Sequence, residues 1–227
     1  RPAQPLRNRR YPQNHQGITM TDTSANNKRI AKNTLMLYIR MLIMMAVSLY
    51  TSRVVLQALG VTDFGIYNAV GGIVAMFGII SNSLSSSISR FITFELGTGN
   101  AERLKTIFST SIIIQLSIAI IIILLAETLG IWFLNTQMTI PSDRMTAANW
   151  VFQFSILTFA INLISVPYNA LIIAHERMSA FAYISILEAF CKLGIAFLIM
   201  ASPIDKLTYY AALMMISAII IRFTYSI

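Results

Sequence analysis

Six long apolar runs follow one another along the chain, at 34–59, 65–88, 106–126, 147–174, 179–201 and 207–227, and they constrain the fold more than anything else in it. As helices rising about 1.5 Å per residue, runs of this length match a hydrocarbon core about 30 Å thick. With 56% hydrophobic and 11% charged residues, and a mean hydropathy of +0.67, the chain lies outside the soluble range and is expected to be an all-α, polytopic membrane bundle. The first two runs form a hairpin, joined by a Gly-bounded turn, Gly60-Val-Thr-Asp-Phe-Gly65.

Residues 1–33 are polar, basic and rich in Asn, Gln and Pro, a composition that buries no core and reads as a disordered tail. Met20-Thr-Asp-Thr-Ser resembles a natural start, which makes residues 1–19 candidate upstream sequence, and the last run is still apolar at Ile227, as in a truncated chain. Glu95 to Lys105 reads as a polar loop and Glu127 to Met145 as the longest connection. One side of the connections holds Lys28, Arg29, Lys32, Arg90, Arg103, Lys105 and Arg177, the other only Arg144 and Lys206, so the positive-inside rule puts the amino terminus in the cytoplasm.

The net charge of +8 does not imply a nucleic-acid partner, because the basic residues sit in the tail and short loops without interleaved stacking aromatics. A single cysteine, Cys191, excludes an internal disulfide, and His15 and His175 offer no metal-ligand spacing. No paired carboxylates or His-Asp constellation is assembled for catalysis, so the chain reads as a non-enzyme with no cofactor.

The chemistry lies within the runs. Asn68, Gly71, Ala75, Gly78, Asn82, Ser85 and Ser89 fall at 3-4 spacing on one face of the second, and Ser155, Thr158, Asn162, Ser165 and Asn169 repeat the pattern in the fourth, beside a kink expected at Pro167. Gly71, Ala75 and Gly78 suit close helix packing. Asn82, Ser85, Ser89, Asn162 and Asn169 carry polarity that packing does not need, and so mark a wet face.

Ionisable groups at membrane depth cost about 2.5–3.5 kcal/mol on insertion scales, and each needs a reason. Glu188 and Lys192 are one turn apart, either neutralising each other or serving as proton carrier and anion ligand. Arg40 and Arg53 either snorkel to the two interfaces or act as separate stations along a tall cavity. Arg90 reads as edge charge, and Arg222 as a snorkelling residue near the inner surface. Five basic groups against one acidic group would attract anions.

Three segments resemble the polysaccharide-export, Wzx-type flippases, in the superfamily of the multidrug and toxic compound extrusion transporters: Leu49-Tyr-Thr-Ser-Arg53-Val-Val-Leu-Gln-Ala-Leu-Gly60-Val-Thr-Asp-Phe-Gly65-Ile-Tyr67, Ser89-Arg-Phe-Ile-Thr-Phe-Glu95-Leu-Gly97, and Val166-Pro-Tyr-Asn-Ala-Leu-Ile-Ile-Ala-His-Glu176. The resemblance implies one six-helix lobe of a two-lobed transporter in a bacterial inner membrane, working by alternating access with the missing second lobe. The implied substrate is an undecaprenyl-pyrophosphate-linked oligosaccharide. Coupling to H+ or Na+ is implied, with Glu188 the candidate coupling residue, and glycan polymerase or assembly proteins are possible partners. Arg40, Arg53 and Lys192 are the first candidates for headgroup contact, with Arg90, Arg222, Asn82, Asn162 and Asn169 as further cavity residues. Drug efflux and an intramembrane glycan-modifying enzyme are the rival readings.

Overall fold

In bilayer hydrocarbon a backbone has no water to bond, and runs of Ile, Leu, Val and Ala satisfy their own peptide groups as helices. The computed structural model of the chain describes residues 20–175, 177–203 and 205–224, and among them every regular element is helical: α1 (Met20–Thr98), α2 (Ala101–Leu125), a π-helical turn (Ala126–Gly130), α3 (Ile131–Thr136), α4 (Met145–Ala174), α5 (Met178–Met200) and α6 (Lys206–Thr224). Five stretches are long and apolar enough to cross a membrane. Some hydroxyls within them donate to carbonyls one turn back, as Ser165 does to Ile161 and Ser185 to Phe181, which satisfies those groups locally.

The first of these stretches, Ile30–Gly78, is 49 residues long, which at about 1.5 Å per residue is more than twice the hydrocarbon thickness. Gly60, at φ 80° and ψ 171°, interrupts it with a conformation open essentially to glycine alone. The two arms of α1 that flank Gly60, residues 20–59 and 61–98, lie side by side. Arg40 of the first meets Ser185 near the start of α5, Ile92 of the second packs on Ala170 near the end of α4, and α4 and α5 adjoin there. The expected six-residue turn thus shrinks to one residue, because Val61 to Phe64 are already helical.

Other boundaries also move. α1 begins at Met20, so 20–33, expected as disordered tail, continues the first arm as helix; the expectations for 1–19 lie outside the described residues. Glu95 to Thr98 and Ala101 to Lys105 are helical, leaving Gly99 and Asn100 as the connection, with Asn100 capping α2 through its side chain and the Arg103 amide. The long connection expected at 127–145 is mostly helix. The chain continues through the π-turn into α3, where Gly130 lies against Phe152 of α4 so closely that a β-carbon would stand 2.4 Å from its ring.

α4 is the centre of the bundle. Its Val151, Phe152 and Ile156 pack with Ile66, Val70 and Val74 of the second arm, Leu134 of α3, and Leu207 and Ala211 of α6. Its Ala160 and Leu163 pack against Ala119 and Ile122 of α2. The first arm rests elsewhere: Val54 and Val55 meet Ile195, Ala196 and Ile199 of α5 and Tyr210 of α6. Pro167 is fully buried within α4, and the helix runs unbroken from Met145 to Ala174.

Candidate functional site

Three contiguous hollows lie between α1, α4, α5 and α6. One, of about 210 Å³, is lined by Ser48, Thr51 and Ser52 of the first arm, Tyr67 and Asn68 of the second, Lys192 of α5 and Tyr210 of α6. A second, of about 230 Å³, shares Tyr67 and continues along Gly71, Ala75, Ser155, Thr158 and Asn162. The third, of about 120 Å³, joins Thr158 and Asn162 to Glu188, Lys192 and Ser217. Tyr67 and Tyr210, ring centroids 4.8 Å apart and edge to face, stand between the first two.

The polar stripes expected on two helices therefore face one space. Asn68, Gly71 and Ala75 come from the second arm, and Ser155, Thr158 and Asn162 from α4. Gly71 and Ala75, expected to pack closely against a neighbouring helix, line that space instead, and a β-carbon at Gly71 or Gly78 would meet nothing within 4 Å. Their smallness leaves room where contact was expected.

Glu188 and Lys192 form an ion pair at 2.7 Å on one turn of α5, each side chain about a third exposed (34% and 39%). Lys192 reaches the walls of both the 210 Å³ and the 120 Å³ hollows, whereas Glu188 lines only the smaller. In the larger hollow the Thr51 hydroxyl is buried with no hydrogen-bond partner.

The arginines do not join this group. Arg40 donates from Nη1 to the Ser185 hydroxyl at 3.1 Å and lies 4.5 Å over the Phe181 ring, while its Nε is buried without a partner. Arg222 sits 3.8 Å over the ring of Tyr168, which meets Phe108 edge-on, a cation held by an aromatic face. Arg53 is exposed on the first arm and lines none of the three hollows. Arg90 is exposed in a shallow recess of its own helix with Ser86, Ser89 and Thr93. Asn169 is half-buried with its Oδ1 unpaired, and the side chain of Asn82 lies outside the described residues.

A second charged cluster was not anticipated. Arg144, at the start of α4, donates from Nε to Asp63 Oδ1 at 2.8 Å and from Nη2 to Asp63 Oδ2, and the same Nη2 lies 3.0 Å from Asp205 Oδ1. Asp205 also accepts from the Thr208 hydroxyl at 2.6 Å, which fixes the start of α6. Burial pushes the Asp205 carboxyl up, but its bonds to Thr208 and Arg144 outweigh that and hold it below its usual value. The Asp63 bond is the main cause that holds the Arg144 guanidinium more firmly protonated than usual. In sequence these residues lie in three separate connections, so only the assignment of all three to one end of the bundle could have suggested the cluster. Gln115 of α2, fully buried with both amide atoms unpaired, was also missed, since a lone glutamine in an apolar run carries no periodic signal.

Among the described residues no three metal-ligating side chains cluster. Compared with family models, curated proteins and solved structures, the chain matches none.

Proposed function

We propose that the chain is the amino-terminal lobe of a Wzx-type flippase, which moves an undecaprenyl-pyrophosphate-linked oligosaccharide from the cytoplasmic to the periplasmic leaflet of a bacterial inner membrane. The two arms of α1 count as separate crossings, which makes six, and the lobe works by alternating access against a second lobe of the same protein. The amino terminus is cytoplasmic: Arg40, Arg103, Lys105, Arg177 and Arg222 share the end of the bundle where α4 meets α5, and basic ends stay inside.

The observation that carries this reading is the Glu188–Lys192 pair in the wall of the polar hollows. A charged pair in the middle of an apolar helix is costly, and this one faces open space instead of being packed away. Support also comes from the three motif-like segments around Arg53, Arg90 and Pro167. The protein performs no bond chemistry in this reading; it needs only to lower the barrier to a polar headgroup, with H+ or Na+ as coupling ion.

The test is delivery of lipid-linked glycan in cells that depend on this protein. Replacing Lys192 by Ala in the complete protein is expected to leave the glycan on the cytoplasmic side at unchanged protein level; normal delivery would remove the pair from the mechanism. Altered sensitivity to cationic dyes without a glycan defect would favour drug efflux, and chemical conversion of the lipid-linked glycan by purified protein would favour an enzyme.

A further inference from the structure

A proline inside a helix has no N–H, so the carbonyl four residues before it loses its helical donor. In α4 that carbonyl belongs to Leu163, which is 1% exposed, and Pro167 itself is fully buried, so bulk water does not reach the gap. In a membrane interior such a carbonyl is answered by a side chain, a neighbouring helix or an ordered water. The Ser165 hydroxyl, within the same turn, is already spent on the Ile161 carbonyl.

The facing helix carries the complementary deficit. Phe108 of α2 meets Tyr168 of α4 with ring centroids 5.1 Å apart, and Ala119 and Ile122 of α2 pack with Ala160 and Leu163 of α4. The two helices therefore pass each other antiparallel, and the buried face of α2 between 108 and 119 runs beside the turn from Leu163 to Pro167. The residues on that face are Ser111 and Gln115. Ser111 donates its hydroxyl to the Ile107 carbonyl at 2.7 Å. Gln115 is 0% exposed, and neither its Nε2 nor its Oε1 has a hydrogen-bond partner among the described residues. An unanswered amide in such a place costs more than a hydrogen bond contributes.

We infer that the two deficits are joined by one buried water molecule, held between the Gln115 amide of α2 and the Leu163 carbonyl that Pro167 leaves without a donor. Neither amide atom reaches that carbonyl itself, so the link needs a bridging molecule. Ser111 and Ser165, its polar neighbours, are uncharged, which suits a neutral bridge over an ion. The hydrogen bonds close with a single water. Its two hydrogens go to the Leu163 carbonyl and to Gln115 Oε1, two acceptors that cannot bond each other, and Nε2 lies one turn from the Ser111 oxygen, which keeps lone pairs after its bond to Ile107. The site marks the place where α4 passes from the part that lines the hollows, with Ser155, Thr158 and Asn162, to the part whose Tyr168 holds Arg222. It stands whatever the chain transports.

The experiment is a double-mutant cycle on the full chain in detergent, with unfolding as the readout. Gln115→Met keeps the length of the side chain and removes the amide. It is expected to lower the folded-to-unfolded ratio about tenfold in the wild-type background, where the carbonyl loses its bridge. In a Pro167→Ala background the helix supplies the missing N–H, and the same change is expected to leave the ratio unchanged or raise it. A gain in both backgrounds, or an equal loss in both, overturns the site. So does a loss that vanishes with Asn82→Leu instead of Pro167→Ala, which assigns the amide's partner to the second arm. Radiolytic labelling of the unaltered protein in oxygen-18 water needs no variant: a slowly exchanging bound water is expected to label Leu163 and Pro167 with the old isotope after transfer. Absence of that label, even with the reversal of sign, makes the link a direct amide bond and overturns the water.

Discussion

The two charged clusters of this chain are built in opposite ways. Asp63, Arg144 and Asp205 come from three connections far apart in sequence and tie the α1 break, the start of α4 and the start of α6 together at one end of the bundle. Glu188 and Lys192 sit on one turn of one helix and join nothing that α5 does not already hold together. An ion pair that links distant segments has a structural reason to exist. A local pair at membrane depth contributes about 0.2–0.5 kcal/mol to its helix and costs more to insert, so its reason lies in what it faces.

The sharpest way to break this comparison is to exchange the two readouts. On the proposed flippase function, Lys192→Ala is expected to abolish glycan delivery while the melting midpoint in detergent shifts by no more than about 0.5 kcal/mol equivalent; a large loss of stability with residual delivery would make the pair structural. Arg144→Ala leaves two carboxylates facing each other without their cation, and is expected to lower unfolding stability by about 1–3 kcal/mol in thermal melts, with delivery falling only as far as protein level does.

A pH series sharpens the same contrast. The Asp205 carboxyl titrates below its usual value of 3.8, so the stability it contributes is fully present above about pH 4 and is lost as the pH falls through its depressed value. Melting temperature is therefore expected to drop on acidification below pH 4, and to drop less in the Arg144→Ala variant; equal drops would detach Asp205 from the cluster. The smallest effect is expected from Asp205→Asn, which keeps an acceptor for Thr208 and loses only the partly exposed ion pair, about 0.2–1 kcal/mol by thermal melt.

Local patterns were legible in the sequence and long-range ones were not. The apolar runs located the helices, the four-residue spacing located the Glu188–Lys192 pair, and the 3-4 spacing of small and polar residues placed Gly71 and Ala75 on one side and Ser155, Thr158 and Asn162 on the other of a single hollow. Each of these depends on a period within one element. Arg40 on Ser185, Arg222 on Tyr168 and Arg144 between two aspartates depend on which elements become neighbours, and no period encodes that. The seat of the π-turn was hidden for the same reason: its Gly130 lies under Phe152, a contact between helices. The glycine stripe misled because small residues fit both tight packing and an open wall, and only the opposing surface decides between them.

Gly60 has a consequence for how such a chain would be made. Its single left-handed residue separates two arms that would otherwise read as one uninterrupted apolar helix across Ile30–Gly78. An insertion machinery receiving that stretch is handed a reversal encoded by one residue, with no polar loop to pause on. Any side chain at position 60 raises the cost of the bend by about 1–3 kcal/mol and favours the straight alternative, which is longer than a bilayer of ordinary thickness. The reversal between the two arms thus rests on a backbone torsion at Gly60, a position that precedes in sequence every helix packed around the hairpin.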